Sequence, residues 1–495
     1  MKVWKLPIFV LIFAVMASQF AFAAAPKEKQ VMAAMKKSAD FMMNTVSMNG
    51  GFVGKYSADL SEQWGETPAR RTMIWVQDPG TVGVGQMFLA AYKATGNTEF
   101  LDYSKRVADA LIWGQHPAGG WHYLIDFDMT GLRKWYDDVF SRCWGWEEYS
   151  HYYGNCTFDD GVTSGATRFL LNLYMTTFDP TYRVPLIKAL DFILEAQYPN
   201  GGWPQRYPLM HDYPHNGHPD YTSYYTYNDN VIQDNIHLLI EAWEKLGNEE
   251  YKKAAYRGMD FVVISQLPAP QAGWGQQYDM NMKSAAARSY EPASVMPNQT
   301  RRCINDLINF YRMTGNKKFL RGIPAAIEWL ENSPLPKSHI TSESRSPKVT
   351  HATFYELGTN KPLYAHREGT NIDNGRYWVD YEPSNFPGHY GMQTIIKIDD
   401  IKRDYQRALN QEPDAAMQEW NTKRVVPRQT AKVDPDKVKE IIDTMDSRGV
   451  WLETLRIPYY EDVVGNPRRE LEGFNTGTFI RNMRTMANYI GSVQE

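Results

Sequence analysis

LIWGQHPAGGW, from Leu111 to Trp121, and ILEAQYPNGGW, from Ile193 to Trp203, are two copies of one pattern: an apolar helix end, a Gln, a Pro, a glycine pair and a Trp. A third copy, VISQLPAPQAGWGQQYD, runs from Val263 to Asp279 with two extra residues ahead of its Gly-Trp. Gln115, Gln197 and Gln266 stand 82 and 69 residues apart (197−115 and 266−197). A repeat of this length sets the architecture, because each unit buries its apolar face only by stacking on its neighbours. Working outward, runs such as GQMFLAAYKATGN to Asn97, IHLLIEAWEKLGN to Asn248 and INDLINFYRMTGN to Asn316 end in Gly-Asn, and ATRFLLNLYMTTFDP ends in Asp-Pro at Pro180. Gly and Asn tolerate the left-handed backbone that stops a helix. EFLDYSKRVADALIWGQ, YRVPLIKALDFILEAQ and EYKKAAYRGMDFVVISQ follow the stops, with apolar residues at three- and four-residue steps. Each is therefore a helix with one buried face. The fold predicted is mainly α, an α/α toroid (an incomplete or closed α/α barrel) built from repeated helix pairs. An open helical solenoid is the alternative; irregular repeats with long loops favour the toroid.

The chain opens MKVWKLPIFVLIFAVMASQFAFAAAPKEK, two lysines ahead of an apolar run that ends in small residues around Ala23. Residues 1–23 read as a secretory signal peptide, so a secreted or periplasmic protein is expected. An uncleaved anchor competes, since the run approaches the length of a spanning helix. A toroid over 24–400 and a helical extension over 401–495, packed on the same domain, account for the remainder. In the extension, NTGTFIRNMRTMANYI from Asn475 repeats the Thr-Gly punctuation of PGTVGVGQMFLAAY. With 53 basic and 57 acidic residues the charge is too balanced for a nucleic-acid partner. Cys143, Cys156 and Cys303 form no zinc pattern; the first two could pair in an oxidising compartment. Aromatic residues make up 14% of the chain, which suits stacking on sugar rings as well as core filling.

Acidic residues gather where the first helix of each pair begins. The four approaches read Val76-Gln77-Asp78-Pro79-Gly80, Thr157-Phe158-Asp159-Asp160-Gly161, Thr226-Tyr227-Asn228-Asp229-Asn230 and Ser289-Tyr290-Glu291-Pro292-Ala293. Helix capping, at about 1 kcal/mol, explains one acid per helix. It does not explain the doubled Asp159-Asp160 and Asn228-Asp229, each after a Thr-aromatic pair. Equivalent helix starts in a toroid ring one mouth, so both pairs converge there. Hard oxygens without His or Cys suit Ca²⁺, which takes about six to eight of them. Paired acids also serve as general acid and base in glycoside hydrolysis, and spacing alone does not separate the two uses.

At these residues the chain resembles polysaccharide lyase family 10, pectate lyases with an α/α toroid fold. The matching stretches are FDDGVTSGATRFL from Phe158, NGGWPQRYP from Asn200, TYNDNVIQDNIHLL from Thr226, GQQYD from Gly275, AARSYEPAS from Ala286 and FYELGTNKPLYAHREG from Phe354. The resemblance implies β-elimination on α-1,4-linked polygalacturonate: the C5 proton is removed, the C4 oxygen leaves, and the new end is unsaturated. It implies Ca²⁺ as cofactor, with Asp159, Asp160 and Asp229 as ligands and Asn228 adjacent to them. It makes Arg288 the base, with Glu291 and Tyr290 beside it, and Arg367 a clamp on a uronate carboxylate. Trp203, with Tyr207, is a candidate stacking platform, though Trp121 at the equivalent place favours packing. Three departures stand out: Asp160 where the family's first acidic pair has Asn, Thr353 where an Arg is usual before Phe-Tyr, and Ser265 where a Lys is frequent. Arg206, Lys283 and Arg301 are candidate substitutes for the missing cations. A monomer without stable membrane insertion is expected. The rivals are an α/α-barrel hydrolase of uronides and a non-catalytic pectin-binding protein; a terpene cyclase is disfavoured by the polar loops.

Overall fold

The structure, a computed structural model, describes residues 25–140, 154–210, 220–369, 376–388, 390–425, 433–457 and 469–494. The signal-peptide stretch lies outside the described residues, as does Cys143 and with it the Cys143–Cys156 pairing. Helices alternate between an inner wall and an outer layer. In chain order they are α1 (Glu28–Phe41), α2 (Thr81–Thr95), α3 (Thr98–Trp113), a short α4 (Leu132–Phe140), α5 (Val162–Thr177), α6 (Pro180–Glu195), α7 (Val231–Leu246), α8 (Glu249–Ile264), α9 (Pro297–Thr314) and α10 (Ile323–Glu331). Then come α11 (Ile398–Leu409), α12 (Pro413–Val425), α13 (Pro435–Asp443) and α14 (Thr476–Gln494). α2, α5 and α7 pack on one another in series, and α3, α6 and α8 lie behind them. The fold is an α/α toroid. Among the described residues no helix is long and apolar enough to cross a membrane.

Gly-Asn punctuation has a division of labour. Gly96, Gly247 and Gly315 end α2, α7 and α9 with φ of 68°, 73° and 66°. The Asn that follows caps the next helical segment: Asn97, Asn248 and Asn316 accept from the amide two residues on at 3.0–3.1 Å.

The Gln-Gly-Gly-Trp pattern is a staple between neighbouring units. Gln115 Nε2 donates to Gly119 O at 2.7 Å within its own turn and to Pro185 O of α6 at 3.0 Å. Gln197 does the same with Gly201 O and Ala254 O of α8. The turn has φ of 121° at Gly119 and 97° at Gly201, and a Cβ on Gly201 would lie 2.1 Å from Arg257 O. Only glycine lets the two backbones meet so closely. Each Trp is buried, its indole N–H donating to a carbonyl at the end of its own outer helix: Trp121 to Leu111 O at 2.8 Å and Trp203 to Ile193 O at 2.9 Å. Gly201→Ala is expected to cost about 2–4 kcal/mol, combining strain with a backbone clash. Urea unfolding measures it, and an unchanged midpoint would refute the staple.

Two further copies escape the sequence pattern because they lack the Gln. Gly50 (φ 93°) rests on Arg106 O of α3, and Gly449 (φ 106°) rests on Lys37 O of α1. Trp451 repeats the indole bond, to Ile441 O at 2.8 Å. The segment from α13 to α14 is thus one more unit, inserted ahead of α1: α14 packs on α2 and α1, and Glu470–Asn475 pairs antiparallel with Lys55–Ser57. A four-stranded antiparallel sheet made of Ser294–Val295, Phe354–Glu356, Pro362–Glu368 and Arg376–Asp380 stands beside the mouth of the inner wall.

Candidate active site

Each inner helix is approached through one fixed backbone bond. Trp75 N donates to Phe52 O, Thr157 N to Trp121 O and Thr226 N to Trp203 O, at 2.8, 2.8 and 3.0 Å. Counting from these bonds, Asp78, Asp160 and Asp229 are equivalent. In the second and third units the next residues form a single tight turn, Asp159–Gly161 and Asn228–Asn230, before α5 and α7. Asp160 and Asp229 both adopt left-handed backbone (φ 49° and 47°), as do Gly161 and Asn230 (66° and 64°). Among L-residues Asn and Asp tolerate this region best, which is why the turns are spelled DDG and NDN. The fourth approach differs. Met296 N takes the bond to Trp274 O at 2.9 Å and α9 starts at once at Pro297. No acid turn fits there: Glu291 lies five residues before Met296, whereas Asp160 and Asp229 lie three residues after Thr157 and Thr226.

The two turns bring three carboxylates together: Asp159, Asp160 and Asp229 each offer an oxygen within 4.8 Å of the other two. Tyr123 OH donates to Asp159 Oδ2 at 2.7 Å and lies 3.2 Å from Asp160 Oδ2. Asn228 Nδ2 donates to Asp229 Oδ2 at 2.8 Å. Asp159 is buried, and its Oδ1 accepts no hydrogen bond from any described donor. Three carboxylates with one buried acceptor left over fit a hard dication. The electrostatics agree: surrounding protein, then the Asp159 charge, then Glu66 push the Asp160 carboxyl up to about 8. Asp229 is raised well above the carboxylate range by burial and by the same two aspartates.

Arg288 stands on the third side. Its Nη2 is 3.6 Å from Asp229 Oδ2. Its Nε and Nη2 each donate at 2.8 Å to Glu291, a bidentate pair closed by Arg288 N to Glu291 Oε2 at 3.1 Å. Burial alone would raise the Glu291 carboxyl, yet the Arg288 guanidinium and the hydrogen bonds hold it below its usual range. Tyr390 OH donates to Glu291 Oε1 at 3.2 Å. The guanidinium carbon lies 5.3 Å from the Tyr290 ring centre, and that ring packs on Tyr390 and Tyr377 at 4.9 and 5.6 Å. Tyr377 is the cross-strand partner of Arg367, so the two side chains share the face of the sheet that covers Tyr290.

The structure therefore brings Asp159, Asp160, Asn228, Asp229 and Arg288 together, with Arg367 paired across the strand with Tyr377, a neighbour of Tyr290. Three residues assigned to substrate contact are buried among protein groups. Trp203 is fully buried in the staple, Tyr290 is buried between Arg288 and two tyrosines, and Glu291, with its side chain 1% exposed, is spent on Arg288. Arg206, considered as a replacement cation, is likewise buried. Sequence reasoning missed Tyr123 and Tyr390, which sit on loops of other segments. The only signal for Tyr123 was its place two residues past a repeat Trp.

A separate carboxyl reports on the wall below. Asp306 on α9 is buried and pushed up to about 7, mainly by desolvation. A folded value above the unfolded one stabilises below about pH 4 in full and is lost as pH rises through about 7. Stability is expected to fall across that window by on the order of 2–4 kcal/mol from this group. Asp306→Asn should flatten the slope in unfolding curves taken from pH 5 to 8.

The enzyme is a polysaccharide lyase. Residues 139–380, just under half of the chain, match the family model for pectic acid lyase. Among solved structures it is similar to a family 10 polysaccharide lyase from Cellvibrio cellulosa (18% identity, 66% of this chain and 97% of that one, TM-score 0.43). The D189A mutant of that lyase in complex with trigalacturonic acid gives 18% identity, 66% and 98% coverage and TM-score 0.44. The GH76 α-mannanase BT2949 of Bacteroides thetaiotaomicron gives 11%, 94% and 96%, and 0.41. No curated protein matches the chain.

Proposed function

We propose that the protein is a pectate lyase that cleaves α-1,4-linked polygalacturonate by Ca²⁺-assisted β-elimination, with Arg288 as the base, outside the cytoplasm. The observation that carries this is the Arg288 guanidinium 3.6 Å from Asp229, itself one of three gathered carboxylates. Asp159, Asp160 and Asp229 would hold the ion, which when bound supplies Lewis-acid charge against the uronate carboxylate as the C5 proton leaves. Arg288 is locked in orientation by Glu291 and backed by Tyr290, so one guanidinium nitrogen is aimed at the carboxylate cluster. A guanidinium yields its proton only above about pH 12. A base of that kind works through a small neutral fraction, so an alkaline optimum is expected. Arg367, on the neighbouring sheet face, suits a uronate carboxylate of the chain. The test is the near-ultraviolet absorbance of a conjugated uronate as the purified protein meets polygalacturonate, with Ca²⁺ and then with chelator. A rise abolished by chelator supports the reading; release of reducing ends without absorbance would mean hydrolysis.

A further inference from the structure

In NGGWPQ, Trp203 is spent on packing and the glycines on the staple. Gln205 remains. It stands two residues past the repeat Trp, where the first unit has Tyr123 and the third has Gln276. The backbone at this position is the same in all three. Tyr123 O accepts from Val76 N at 2.7 Å, Gln205 O from Phe158 N at 2.9 Å and Gln276 O from Tyr227 N at 2.9 Å. Each carbonyl thus holds the residue just before the mouth turn of the preceding unit. Tyr123 then extends its side chain to the turn of its own unit and reaches Asp159 and Asp160. Gln205, one unit on, is tied by its carbonyl to Phe158, the residue before the turn that begins at Asp159.

Two buried acceptors in this region lack a donor among the described residues. Gln205 is 1% exposed and its Oε1 accepts no hydrogen bond from any described donor, and the same holds for Asp159 Oδ1. A buried acceptor left unsatisfied forfeits the hydrogen bonds it made to water. Two acceptors cannot satisfy each other, whereas a cation within reach of both would. We infer that the Gln205 amide oxygen is a further, neutral oxygen ligand of the dication held by Asp159, Asp160 and Asp229. The inference rests on the cation-binding part of the proposed function. Its chemistry is apt: three carboxylates already repel one another, and a fourth oxygen without charge adds affinity without raising that repulsion.

The test is isothermal titration of CaCl₂ into the chelator-stripped full-length protein, with thermal unfolding of the same samples without calcium. For Gln205→Met the expected result is a calcium Kd weaker by about tenfold or more, with a calcium-free Tm equal to or above wild type, because an unsatisfied acceptor has been removed. Gln205→Glu restores an oxygen and should bind at least as tightly as wild type. It also serves if the Met variant does not fold. Wild-type affinity in Gln205→Met, or a loss in Gln205→Glu as large as in Gln205→Met, overturns the assignment while leaving the carboxylate site standing. No calcium binding by the wild-type protein overturns both.

Discussion

Arg288→Ala is expected to lower kcat on polygalacturonate by a factor on the order of 10²–10⁴, the usual range for removing a general base, with KM little changed. The geometry sets that split. Arg288 has its side chain 13% exposed and is clamped by Glu291 at two nitrogens, so it offers little surface for holding a polymer. What it presents is one edge beside Asp229. Arg288→Lys should fall almost as far, because an ammonium cannot reproduce the planar double bond to Glu291. Glu291→Gln leaves one good acceptor for the pair and should cost less than either. Rates read from the conjugated product, with calcium saturating, measure all three. A kcat within about threefold of wild type for Arg288→Ala would exclude proton transfer by this residue, since it falls far below the effect of a base.

Much of this arrangement was legible in the sequence, for local reasons. The Gln-Gly-Gly-Trp units are visible because the staple needs a donor, a left-handed glycine and a large buried indole at fixed spacing. The DDG and NDN turns are visible because left-handed backbone at a mouth position favours Asp and Asn over other residues. The hidden parts depend on other segments. Gly50 and Gly449 make the same backbone contact as Gly201, but the first is followed by Phe52 and the second by Val450 before Trp451. With no Gln to mark them, two units pass unrecognised, and the last helix reads as an appendage. Trp203 and Tyr290 were ambiguous for the opposite reason: an aromatic beside a site motif looks alike whether it stacks on sugar or fills the wall. Only burial separates the two. Tyr390 illustrates a third limit, since its bond to Glu291 joins residues 99 positions apart and no local pattern announces it.

Asp159→Ala and Asp229→Ala are each expected to weaken calcium binding by about a hundredfold or more, since removal of even an outer-shell partner costs about 10–100-fold. Activity at fixed calcium should fall with it and recover in part as calcium is raised. The two differ in what they leave behind. Asp159→Ala removes the shorter of the two carboxylate bonds of Tyr123 as well as an ion ligand, so it should also lower calcium-free stability. Asp229→Ala leaves Arg288 paired with Glu291 and relieves a crowded carboxyl, so its calcium-free stability should hold or rise at alkaline pH. The pH dependence follows from the same crowding. Burial and the neighbouring aspartates push Asp160 up to about 8 and raise Asp229 as well, so protons compete with the cation below that range, and calcium affinity should increase as pH rises through it. Without calcium the sign for stability is reversed: a carboxyl whose folded value exceeds its unfolded one stabilises at low pH and stops doing so as pH climbs past the folded value. The stripped protein should therefore lose stability between about pH 4 and 8, and calcium should restore it. Asp160→Asn removes one of the mutually repelling charges, so it should make stripped stability flatter with pH while lowering calcium affinity. Titration calorimetry at pH 6, 7.5 and 9, with unfolding curves on the same samples, checks both directions, and a calcium affinity that stays constant across those three pH values would mean that the three aspartates do not share the ion.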